Sequence, residues 1–266
     1  MLNALKMDFY RFRKTKSLYI ILAAAVAMCA FTIWSMSLMS SPAITESGIP
    51  LPDGFDALVP KTVDGYVDSF FQGNFVVLFT VIFAVIFCNT EHRGGFIKNI
   101  ASVTSNRIGL VLSRTVVILA ADILIHIVTS ACVFIACFGI MGINEIVNPS
   151  GIALTILISI VMNLALGALS MMLFMLCRKI ILPLISGIVY VLMGGTVYSL
   201  VDLIFNKLIG LSEFRVEKYT TLGNMLYYVN TSASGKDYIR AVVVSLIVLV
   251  ISVIVSWQSL NRKDIK

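Results

Sequence analysis

Charge is what this chain has least of. Asp, Glu, Lys and Arg make up 13% of its 266 residues, against about 25% in soluble domains, so a soluble surface cannot be covered from this supply. Histidine is scarcer still: His92 and His126 are the two present, which argues against a zinc site of several histidines and against a hydrolytic centre. Cys29, Cys88, Cys132, Cys137 and Cys177 all lie within or at the end of apolar runs. With no Cys-x-x-Cys pair among them, they read as buried free thiols. A phosphate-binding loop, Gly-x-x-x-x-Gly-Lys-Ser/Thr, is missing, because Gly235-Lys236 runs on to Asp237 and lacks the earlier glycine. No cofactor is therefore expected on this chain, and any ATP hydrolysis has to come from a partner.

What the chain has in abundance is apolar sequence. Hydrophobic residues make up 59% of it, in runs of about 20 or more, the length that crosses a hydrocarbon core of about 30 Å. The runs cover approximately 17–39, 70–88, 110–141, 152–177, 180–205 and 239–257. The fold class that follows is an all-α membrane protein of six transmembrane helices, with residues 1–16 as an interfacial helix and 17–266 as one transmembrane domain. The first run is too long for the core of a cleaved signal, roughly 7–15 residues. The third exceeds what a bilayer needs and has to tilt or project. No internal repeat is evident, which counts against an inverted-repeat transporter.

The net charge is +6, yet the basic residues flank apolar runs and form no nucleic-acid patch. Lys6, Arg11, Arg13, Lys14, Lys16, Arg93, Lys98, Arg107, Arg114, Arg178, Lys179, Arg262, Lys263 and Lys266 fall on one side, fourteen of the twenty. That bias places both termini in the cytoplasm. Two long loops face out. The first, Ser41 to Ser69, carries Glu46, Asp53, Asp56, Asp64 and Asp68, either to gather cationic peptides or simply as the acidic outside that the topology leaves. The second, Asn206 to Tyr238, holds a Leu222 to Val229 stretch able to dip into the interface.

Several segments carry candidate function. Leu2, Leu5, Phe9 and Phe12 recur at helical spacing ahead of the first span, giving an amphipathic helix that is either a topology anchor or an elbow cradling a cytoplasmic partner. Between spans two and three, Glu91, His92, Arg93, Gly94, Gly95, Phe96, Ile97, Lys98, Asn99 and Ile100 form a polar segment. Its glycines permit a sharp reversal, and Phe96 and Ile97 offer apolar anchors for a soluble protein. Within the spans, Asp122 and His126 share one face, as a proton relay or as a mutually satisfied pair. Asn163 is placed to bond across helices, and Asp202 to reach interfacial water. Pro183, Gly187, Gly194 and Gly195 in span five fit a translocation seam and small-residue packing equally.

The segment between spans two and three resembles that of the type-2 ATP-binding cassette exporter permeases, the small bacterial members that serve antibiotic-peptide export and immunity. In that family an acidic residue is followed by a glycine four positions on, a basic-Asn pair, an Arg and a later Lys. Glu91, Gly95, Lys98, Asn99 and Arg107 match in that order. Phe96 stands at the family's Thr, no proline precedes Arg107, and Arg114 replaces the later Lys. The ending Leu260-Asn261-Arg262-Lys263-Asp264-Ile265 is similar to the family's basic-basic-Asp-Ile.

The resemblance implies a permease in the bacterial inner membrane that passes an amphipathic or hydrophobic substrate outward. It implies a second permease subunit, identical or related, and separate ATPase subunits, holding ATP and Mg, docked on a cytoplasmic coupling helix at Glu91 to Asn99. Membrane lipid is the remaining partner. A proton-coupled secondary transporter and a non-transporting immunity sensor are the alternatives.

Overall fold

In hydrocarbon each backbone N–H and C=O has to find its partner within the chain, and a helix is the local way to do so. A computed structural model describes residues 2–39, 60–72, 74–93, 107–205, 207 and 215–262, and no strand occurs among them. The helices are α1 (Leu2–Lys14), α2 (Lys16–Met39), α3 (Val63–Phe71), α4 (Asn74–Arg93), α5 (Arg107–Ile135), α6 (Pro149–Cys177), α7 (Ile181–Ile204), α8 (Thr221–Tyr227) and α9 (Gly235–Arg262). Six stretches are long and apolar enough to cross a membrane: α2, α3 with α4, α5 with the turn that follows it, α6, α7 and α9.

Local chemistry sets several ends. Asn148 caps α6, its side chain accepting the Gly151 N–H, and Pro149 occupies the first turn, where its missing N–H costs nothing. Thr62 and Thr220 cap α3 and α8 in the same way. Beyond α5 the helix loosens into a π turn, Ala136–Met141, and stops at Gly142, whose φ of 66° a side chain would disfavour. The run expected at 70–88 is thus two elements, α3 and a later α4 that reaches Arg93.

α4 and α6 form the centre and are the most buried spans. α6 packs on α9, α4, α5 and α7, while α2 lies against α5 and α4. α2, α7 and α9 are the least buried of the spans. Pro183 falls in the first turn of α7, where proline is tolerated. Gly194 lets α8 approach closely, since a Cβ there would lie 2.4 Å from Leu222 Cδ2. α8 is therefore seated in the bundle: Leu222 is fully buried and Met225 nearly so.

Candidate functional site

At one end of the bundle α1 turns its inner face to the spans. Phe12 is buried, with its ring edge-on to Phe83 at 5.9 Å. That packing brings two polar side chains of α1 inward. Asp8 accepts the Ser113 hydroxyl at 2.5 Å. Arg11 pairs with Glu91, donates to Thr90 Oγ1 at 3.2 Å, and lies 5.1 Å over the Phe87 ring. On its other oxygen Glu91 meets Arg114 at 2.6 Å, both side chains being 3% exposed. Burial pushes the Asp8 carboxyl up to about 6, and the Glu91 charge adds to this, against the Ser113 hydrogen bond and the cations Arg114 and Arg11.

The same end is tied to the last span. Arg107 donates to the carbonyls of Leu260 and Asn261 at 2.8 and 3.3 Å, satisfying acceptors that a helix C-terminus leaves without partners. Ser259 bonds to the Met175 carbonyl at 3.0 Å, joining α9 to α6.

Glu91 and Arg107 are both members of the coupling set expected from sequence. Glu91 is buried at the end of α4, and Arg107, partly buried, turns its guanidinium to the end of α9. The Glu91 carboxylate is enclosed by Arg11 and Arg114. Gly94, Gly95, Phe96, Ile97, Lys98 and Asn99 lie outside the described residues, and Arg93 is described only as the last residue of α4. The C-terminal Lys263, Asp264 and Ile265 lie outside them too.

Inside the bundle the structure joins three of the four polar candidates of the spans. Asp122 and His126 are 0% and 1% exposed. His126 Nδ1 stands 2.9 Å from the Asp122 carbonyl oxygen and its Nε2 3.4 Å from Asn163 Nδ2. A single tautomer, protonated on Nδ1, serves both contacts. Thr80 donates to Asp122 Oδ1 at 2.7 Å, and the Phe71 ring stacks on His126 at 5.4 Å. The cluster ties α3, α4, α5 and α6 together. Thr80 had no sequence signal beyond its residue type.

Asp202 stands apart, at the opposite end of the bundle. It accepts the Val216 N–H at 2.9 Å and is flanked by Arg215 at 3.8 Å. There too Asp64 accepts the backbone N–H groups of Val147 and Asn148, both at 2.8 Å. Asp68 accepts the N–H and hydroxyl of Thr231, also at 2.8 Å. Both acids bind neighbouring backbone within the fold. Glu46, Asp53 and Asp56 lie outside the described residues.

A comparison with known families bears on this arrangement. The family described as ABC-2 family transporter protein matches residues 4–194, a stretch that begins in α1 and runs into α7. No curated protein matches the chain.

Proposed function

Since this chain belongs to the ABC-2 transporter family, we propose that it is the permease subunit of an exporter, in which a separate ATP-binding cassette ATPase drives an amphipathic or hydrophobic substrate outward. Membership makes it a multi-pass membrane component of a transporter. The finer reading adds a second permease copy or relative, an inner-membrane location, and a cytoplasmic side at the Arg11–Glu91–Arg107 end.

One observation carries it. The segment 94–106 is rooted at both sides by buried or capping contacts, Glu91 on Arg11 and Arg114, and Arg107 on the last carbonyls of α9. A docking segment has to transmit load, and such roots supply the stiffness. Asp122 and His126, enclosed with Thr80 and Asn163, support a packing role and lend a proton-driven cycle no route of their own.

The test is co-purification with a candidate ATP-binding cassette ATPase co-expressed with this chain. Truncating a buried aromatic anchor costs about 2 kcal/mol or more, roughly thirty-fold in affinity, whereas a rim charge costs less. Phe96→Ala is expected to weaken co-purification far more than Lys98→Ala does. Wild-type assembly in both variants would remove the docking assignment. Cysteine labelling in intact cells checks the topology, with positions 61 and 218 reactive from outside and position 98 protected.

A further inference from the structure

Where α7 ends, a cavity of about 490 Å³ is lined by Asp202, Leu203, Lys207, Arg215, Glu217 and Tyr227, within the range of about 300–1,000 Å³ typical of ligand sites. Asp202 is 4% exposed. Its Oδ1 accepts the Val216 N–H and its Oδ2 lies 3.8 Å from the Arg215 guanidinium, while the carboxyl group is also in hydrogen-bond contact with that of Glu217. Arg215 is shared, lying 3.9 Å from Glu217 through the same nitrogen, and is more than half exposed. So loose a pair, screened by solvent, holds neither carboxylate firmly.

The charges are divided between two walls. Asp202 and Glu217 stand together, and burial with the Asp202 neighbour raises the Glu217 carboxyl above its ordinary value, against Arg215 and Tyr228. Lys207 lines the same cavity without an ion pair among the described residues. Leu203 and Tyr227 are exposed beside it, an apolar wall with an aromatic ring, the composition found at the headgroup level of a membrane.

We propose that this cavity binds the headgroup of an aminophospholipid of the phosphatidylethanolamine type, with its primary ammonium on Asp202 and Glu217 and its phosphate on Lys207 and Arg215. Two carboxyl groups in contact on one wall, sharing a single loose and exposed guanidinium, call for a cation that brings its own N–H donors. A choline headgroup brings positive charge without that donor, and a glycerol headgroup brings no cation. The site needs only that the chain sit in a bilayer, and stands whether or not the ATPase docking assignment holds.

Native mass spectrometry of the purified full chain tests it, with titration against phosphatidylethanolamine, phosphatidylcholine and phosphatidylglycerol of identical acyl chains. The ethanolamine lipid is expected to be retained about tenfold better than either of the others, the scale of one charge-assisted hydrogen bond. Asp202→Asn and Glu217→Gln should each bring that ratio close to one. Lys207→Ala should lower retention of the ethanolamine and glycerol lipids alike. Equal retention of the three by the wild-type chain overturns the assignment, as does a preference for phosphatidylglycerol. A preference left intact in Glu217→Gln overturns it as well. Glu217 lies outside the spans, so this variant decides the matter even if Asp202→Asn fails to fold.

Discussion

Glu91 is held by two arginines from different helices, and its energetics follow from burial. Removing a carboxylate from water costs several kcal/mol, offset only by close partners, and breaking such a pair from one side typically costs 3–5 kcal/mol. Glu91→Gln is therefore expected to lower stability by about 3 kcal/mol, because Arg114 keeps its charge at 3% exposure. Thermal unfolding of the detergent-solubilised chain measures this, and a loss below about 1 kcal/mol would show an open, solvated pair. The paired replacement Glu91→Leu with Arg114→Met should recover much of the loss, since an apolar pair needs no countercharge. Asp8 acts with the opposite sign. Its folded value of about 6 lies above the ordinary 3.8, so between those values the folded state holds more protons than the unfolded one. Stability then rises as the pH falls from about 6 towards 4, and the cost of the ionised carboxylate, up to about 3 kcal/mol, is fully present above pH 7. Unfolding midpoints at pH 5.5, 6.5 and 7.5 should follow that slope. Asp8→Asn, which keeps an acceptor for Ser113, should flatten it.

Elements at the opposite end are joined by hydrogen bonds that cross long stretches of chain. Asp64 and Asp68 of α3 hold the approaches to α6 and α9, and Asn148 donates to the Thr231 carbonyl at 2.8 Å. Gly151 is where this lock tolerates least change, since a Cβ there would fall 2.1 Å from the Thr231 backbone oxygen. Gly151→Ala should push the 229–234 loop off α6 at a cost of about 1–3 kcal/mol. Faster hydrogen exchange across 229–234, with α9 still protected, is the expected signature. Exchange at the wild-type rate would mean that the loop relaxes without loss. The body of α6 was legible in sequence as the apolar run at 152–177, but its start at Pro149, set by the Asn148 cap, lies ahead of the hydropathy signal. The break between α3 and α4 was not legible. Phe70 and Phe71 extend the apolar run that follows, and hydropathy has no mark for Gln72, whose side chain bonds the distant Val229 carbonyl. The structural roles of Asp64 and Asp68 were not legible for a similar reason, since a carboxylate that accepts buried N–H groups has the same local sequence as one in water.

Over the whole molecule, sequence periodicity and charge separated membrane-crossing elements from their ends, because both are local quantities that a bilayer imposes on every span. Pairings across the bundle are non-local. Glu91, Arg107 and Arg114 were each marked by their place around one segment, but no spacing told that Arg11 would arrive from α1 or that Arg107 would reach α9. On the docking proposed above, an ATPase held at 94–106 would move two roots attached to α1, α4, α5 and α9. A rigid attachment passes displacement on, and a loose one absorbs it. Arg107→Ala removes the donor to Leu260 and Asn261 while leaving the docking anchors in place. Assembly with the ATPase should stay within about two-fold of wild type, as expected for a change outside the anchor cluster. Transmission should fall. A cysteine placed at exposed Ser232, beyond the opposite end of α9, reports it through the rate of maleimide labelling with and without ATP and vanadate. In the wild-type complex the trapped state should change that rate. In Arg107→Ala the change should shrink by half or more while ATPase binding persists, because α9 no longer follows the segment. A full response in the variant would show that the Arg107 contacts only finish a helix end, and that movement reaches α9 through its packing on α6.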